Sequence, residues 1–105
     1  MSIKITSTPM RLTITVSGEI DHHNAAVFRI EADEAIQALL SPNVRLDFGE
    51  VTFMDSSGIG LLVGRYRKMQ SLGGQVYIRN VKGHMAKILQ LSGVEKIIGK
   101  YEETT

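Results

Sequence analysis

The chain has 105 residues, with 12 Lys and Arg against 11 Asp and Glu, three His and no Cys. That length fits one compact domain over residues 1–105, and 43% apolar residues suffice for a core, which excludes general disorder. Lack of Cys excludes disulfides and thiolate metal sites, no apolar run spans a bilayer, and a net charge of +1 argues against a grip on nucleic-acid phosphates.

With no secretory h-region after Met1, the expectation is a small cytoplasmic domain that touches neither membrane nor nucleic acid. The charge balance hides a polarity. Residues 1–50 carry four basic side chains against seven acidic ones, and residues 51–105 carry eight against four. Such a split can steer an oppositely patterned partner, or it can simply be spread over solvated faces.

Ile3 and Ile5 alternate with polar neighbours, and Ser7-Thr8-Pro9-Met10 supplies a turn. Leu12, Ile14 and Val16 then predict a strand with one buried face, broken at Gly18. Asn24 is placed as an N-cap for a helix whose apolar stripe is Phe28, Ala32, Ala35, Ile36 and Leu39, stopped by Ser41-Pro42-Asn43. Val44, Leu46 and Phe48 read as a third strand, and after Gly49-Glu50 the short run Val51 to Met54 leads into Asp55-Ser56-Ser57-Gly58. A helix follows with Ile59, Leu62, Val63, Tyr66 and Met69 inward, while Arg65, Arg67 and Lys68 read as a solvated face. Gly73-Gly74 ends it. Val76 to Ile78 form a strand, Asn80 to Gly83 a turn, and Met85, Ile88 and Leu89 a short helix closing near Ser92-Gly93. Ile97 and Ile98 are expected to pack back on the core, and Glu102 to Thr105 to fray. Strands alternating with helices predict an α/β domain with a mostly parallel sheet, made mixed by the opening hairpin.

Two stretches carry possible chemistry. In the first, Phe53 to Gly60, a strand runs into a helix through two hydroxyls. Loops at strand C-terminal ends are where ligands and partners meet open α/β sheets, and a helix N-terminus favours negative charge. A phosphate on Ser56 or Ser57 would sit well there, and the residues alone do not choose between the two. The same pattern also serves as an ordinary N-cap. The second stretch is Gly18-Glu19-Ile20-Asp21-His22-His23, which lies on the same rim if the strands before the two loops run parallel. Adjacent histidines are poorly spaced for joint metal chelation, so no metal site is assigned. No dinucleotide or phosphate-loop fingerprint is present, no cofactor is implied, and no nucleophile–base set points to an enzyme.

Phe53 to Lys68 with Gly73-Gly74, together with Gly18 to His23 and Leu91-Ser92-Gly93-Val94, resembles the bacterial anti-sigma factor antagonists of the STAS domain family. The Gly-Glu-Ile-Asp-His-His form is nearer the sporulation member than the general stress-response member. The resemblance implies a single STAS-like α/β domain with a mixed, mostly parallel sheet and helices packed largely on one side. It further implies that the dephosphorylated form binds an anti-sigma factor that is also an ATP-dependent serine kinase, freeing a sporulation sigma factor. Ser56 then matches the phosphorylated serine, and a serine phosphatase resets the switch. Asp55, Ser57, Gly58 and Ile59 match the loop and helix start around it, and Glu19 and Asp21 match positions that face the kinase. A second reading is a STAS-type scaffold or nucleotide- or small-anion-sensing domain using the same rim.

Overall fold

Strict apolar alternation at Leu12, Ile14 and Val16 builds β2 (Arg11–Ile20), which lies beside β1 (Ser2–Thr8) in an antiparallel hairpin closed at Pro9-Met10. In this computed structural model, residues 1–98, 101 and 102 are described, without the side chains at 95, 97, 101 and 102. The remaining elements are α1 (Ala25–Leu39), β3 (Asn43–Met54), α2 (Ser56–Ser71), β4 (Gln75–Arg79), α3 (Gly83–Ser92), α4 (Glu95–Ile98) and β5 (Tyr101–Glu102). The strands lie in the order β1-β2-β3-β4-β5, antiparallel between the first two and parallel thereafter.

One sheet face carries Leu12, Ile14, Val16, Val44, Leu46, Phe48, Val76 and Ile78. These join Phe28, Ala32 and Ile36 of α1, Leu61, Leu62 and Met69 of α2, and Met85 and Leu89 of α3 in a single core. The helices therefore cover that face, as the family resemblance implies. Each fully buried Leu, Ile or Phe contributes about 1.5–3 kcal/mol to the fold. The opposite face is polar, with half-buried Thr13, Thr15, Arg45, Asp47, Tyr77 and Arg79.

Several elements depart from the pattern read in the sequence. The run 51–54 is no separate segment: β3 is continuous from Asn43 to Met54. Its register against β2 slips twice, Thr15 facing Asp47 but Ser17 facing Glu50, and Gly18 facing Val51 but Glu19 facing Phe53. Each slip adds one residue to β3, so its buried positions step by three, from Phe48 to Val51 to Met54, and the period of two disappears. Gly18 does not end β2. It takes φ +85 at the bulge, a conformation L side chains rarely adopt, and the strand runs on to the fully buried Ile20. Leu39 is 46% exposed and falls off the core stripe, because the chain turns away at Leu40 with φ 47.

Arg65 is the main correction among the charges. It is 5% exposed rather than solvated, and its Nε lies 2.9 Å from Asp33 Oδ1, joining α2 to α1. Ile98 packs on the core as expected, and Val94 is buried with it, whereas the side chain of Ile97 lies outside the described residues. The expected fraying does not hold for Glu102, whose backbone pairs with β4 opposite Arg79; residues 103–105 lie outside the described residues. Among the described residues, no helix is long and apolar enough to cross a membrane.

Candidate functional site

Because β2 and β3 run parallel and end level, Ile20 beside Met54, the two polar loops that follow them share one rim. The Asp55 backbone N–H donates to Ile20 O at 3.1 Å and ties the two strand ends together. Topology alone thus brings Glu19, Asp21 and the two imidazoles next to the serine pair.

Asp55 is the N-cap of α2, in extended conformation at φ −97 and ψ −172. Its Oδ1 accepts the Ser57 backbone N–H at 2.9 Å and also a short bond from the Ser57 hydroxyl. The capping bond satisfies one of the orphan amides of the first turn. It also separates the two serines that the sequence leaves equivalent. Ser57 is half-buried and its hydroxyl is held by the cap, whereas Ser56 is exposed, and among the described residues its hydroxyl has no hydrogen-bond partner. Gly58 is buried where α2 crosses the end of β3, and a Cβ there would collide with Cγ and Sδ of the buried Met54. The glycine lets the first turn lie this close to the strand. Ile59 is half-buried against the core, so only part of it is available to a partner.

The Ser57 hydroxyl and then its amide hold the Asp55 carboxyl below the ordinary aspartate value of 3.8; burial opposes them and His22 adds to them. A depressed carboxylate contributes stability that is complete above 3.8 and is lost as pH falls through the lower folded value. Ser57→Ala removes the largest cause, so the Asp55 midpoint should move up toward 3.8 in a carboxyl NMR titration. An unmoved midpoint would mean that the hydroxyl is not what holds the carboxylate.

The second loop is built by reciprocal bonds between Asp21 and Asn24. Asp21 Oδ1 accepts the backbone N–H groups of His23 (2.9 Å) and Asn24 (3.1 Å), while Asn24 Oδ1 accepts the Asp21 N–H at 3.0 Å. Asn24 occupies the N-cap position of α1, as its sequence context suggests, but its side chain makes no cap bond. Its oxygen is turned back to Asp21, and its Nδ2 donates to Glu19 O at 2.8 Å. The Asp21 carboxylate therefore has a structural task within the loop, and the exposed Glu19 side chain is the more available acid.

His22 and His23 are both exposed, their ring centroids 4.1 Å apart and tilted by 41°. His22 Nδ1 lies 3.6 Å from Asp55 Oδ2, an ion pair when the imidazole is protonated. This link between the loops was not legible in the sequence, since 33 positions separate the partners and only the strand register aligns them. Phe53, placed in a strand by the sequence, is 43% exposed beside the second bulge and adds an apolar element to the rim. Among the described residues no cluster of three or more His, Asp or Glu could hold a metal ion.

Among the described residues, cavities of about 350 and 360 Å³ lie elsewhere. One is lined by Thr8, Arg11 and Asn43 at the start of β2 and β3, and the other by Leu40, Met69 and Leu72 where α1 and α2 end. Both are at the end of the sheet opposite Ser56.

A mixed sheet of this order, with helices on one face and a capped serine loop after its long central strand, is the arrangement of a STAS domain. The chain belongs to that family, whose pattern it matches over residues 2–105. It is 36% identical over 91 residues to the anti-sigma F factor antagonist of Paenibacillus polymyxa, which spans 87% of this chain and 78% of that protein. Among solved structures it is similar to the anti-sigma factor antagonist SpoIIAA in its unphosphorylated form, with a TM-score of 0.84 at 28% identity, covering 99% of this chain and 89% of that one. The Bacillus cell fate determinant SpoIIAA in its phosphorylated form matches with a TM-score of 0.78, also at 28% identity, covering 99% and 92%. These relatives are named as antagonists of anti-sigma factors, a regulatory role.

Proposed function

We propose that this chain is an anti-sigma factor antagonist that works by exchange of partners in the cytoplasm. Unphosphorylated, it docks on an anti-sigma factor that is also a serine kinase and so frees a sporulation sigma factor. The kinase transfers the γ-phosphoryl group of ATP to the Ser56 hydroxyl, which ends the complex, and a serine phosphatase restores it. The docking surface is the rim formed by Glu19, Asp21, Asp55, Ser57, Gly58 and Ile59. Similarity to proteins that antagonise anti-sigma F factor, and to SpoIIAA in both phosphorylation states, supports this reading.

The observation that carries it is the inequality of the two serines, one hydroxyl bound in the cap and the other exposed at the first position of α2. A phosphate there gains only about 0.3–1 kcal/mol from the helix dipole, too little to refold a domain. It adds about −1.5 to −2 charges, which is enough to change what the surface can dock against.

Incubation with the cognate kinase and ATP should add one phosphate, read as an intact-mass increase. Ser56→Ala should abolish the increase and Ser57→Ala should retain it. Incorporation that persists in Ser56→Ala and vanishes in Ser57→Ala overturns the assignment.

A further inference from the structure

Asp55 divides its two carboxylate oxygens between different tasks. Oδ1 is occupied by the Ser57 amide and hydroxyl, as any helix cap would require. Oδ2 instead faces His22 Nδ1 at 3.6 Å, from a loop that reaches the site only because β2 and β3 end level. Ser56 follows Asp55 directly, so a phosphoryl group on it stands beside a full negative charge. The first-turn amide of Ser57 is already engaged by that carboxylate. The imidazole of His22 can compensate such a charge, being 75% exposed and therefore able to turn from Oδ2 toward position 56.

We propose that His22 is the counter-ion of the phosphoryl group on Ser56, bridging it to the Asp55 carboxylate when protonated. The inference rests on the Ser56 acceptor site proposed above and deepens it by naming the residue that tunes the phosphorylated state. Among the described residues, the charged groups nearest His22 come from two loops. Across the gap, at the head of α2, stands Asp55. On its own loop the His23 ring lies beside it, centroids 4.1 Å apart and tilted by 41°. Asp21 spends Oδ1 on the backbone amides of His23 and Asn24, and Glu19 points its exposed side chain to solvent. Among the described residues, His22 therefore has one carboxylate in contact before phosphorylation, and would meet a much denser negative field after it.

The test needs no kinase if phosphoserine is encoded genetically at position 56. Proton–nitrogen NMR titration of the three histidines in the unmodified and phosphorylated chains should show the His22 midpoint rising by about one pH unit, the effect of two charges at roughly 6 Å in water. His84, exposed on α3, serves as the unmoved reference. In the same samples, phosphorus NMR should place the second ionisation of the phosphoserine about half a unit higher in His22→Gln than in the parent chain, because the favourable cation is gone. Superimposable His22 curves in the two forms, or a phosphoserine titration unmoved by His22→Gln, overturn the proposal. Failure of the kinase to modify Ser56 would instead sink the acceptor assignment and leave the NMR result standing, so the two readings fail separately.

Discussion

Phosphorylation of Ser56 should weaken the complex with the anti-sigma factor about a hundredfold while leaving the far-ultraviolet circular dichroism spectrum unchanged. A hundredfold corresponds to about 2.7 kcal/mol. Docking on an exposed helix start removes water from whatever stands there. Desolvating an uncompensated charge costs several kcal/mol even after relaxation. A neutral hydroxyl at the same position packs at little cost. On the proposed function, the partner would distinguish the two forms by local electrostatics at the interface, with the fold expected to be the same in both. Ser56→Asp carries one charge instead of nearly two, so its expected effect is smaller, about tenfold in affinity. The carboxylate also sits at a favourable helix N-terminus, so the melting temperature should hold or rise slightly. Calorimetric titration of the kinase with the three forms checks the order, and a melted spectrum in either modified form would refute the local account.

Much of this geometry could be read from residue order. β2 and β4 alternate cleanly, α1, α2 and α3 show helical apolar spacing, and the parallel arrangement that puts Asp21 and Ser56 on one rim follows from crossover helices between strands. What escaped was decided by contacts distant in sequence. The two bulges in β3 exist because β2 pairs with it out of step, and a single-strand pattern cannot show a partner's register. The burial of Arg65 depends on Asp33 standing opposite on α1, and a cation on an amphipathic helix otherwise reads as solvated. The two serine hydroxyls differ in environment through the rotamer of Asp55, which residue order does not reveal, since either hydroxyl follows a capping residue. The exposure of Phe53 came from the second register slip.

The Asp33–Arg65 pair predicts a strong asymmetry between removing one partner and removing the other. Arg65 is buried on α2, as are Leu61, Leu62 and Met69, with Nε 2.9 Å from Asp33 Oδ1 and Nη2 donating to Oδ2 at 3.4 Å. Among the described residues, its Nη1 is buried without a hydrogen-bond partner. Burial pulls the guanidinium below its ordinary value, Asp33 pushes it back up, and Arg29 lowers it again. Asp33→Ala removes the favourable contribution and leaves a cation that cannot shed its proton facing a second cation. Truncating one partner of a buried pair costs about 3–5 kcal/mol, and water reaching the 30% exposed side of Asp33 sets the expectation at the lower end, about 3 kcal/mol. For a domain of this size that is a fall of roughly 12 °C or more in Tm. Arg65→Met takes away the buried cation with its desolvation penalty and leaves a carboxylate that is 30% exposed and can be solvated or protonated, so its loss should be smaller, about 1 kcal/mol. The double variant should recover most of what Asp33→Ala loses. Equal losses for the two single variants in urea unfolding would contradict the buried-charge argument. Arg65 stands nine residues along α2 from Ser56, roughly 14 Å down the axis. At a temperature where Asp33→Ala remains folded, its phosphorylation by the kinase should therefore match the parent chain, which separates the pair's role in holding α1 to α2 from any role at the rim.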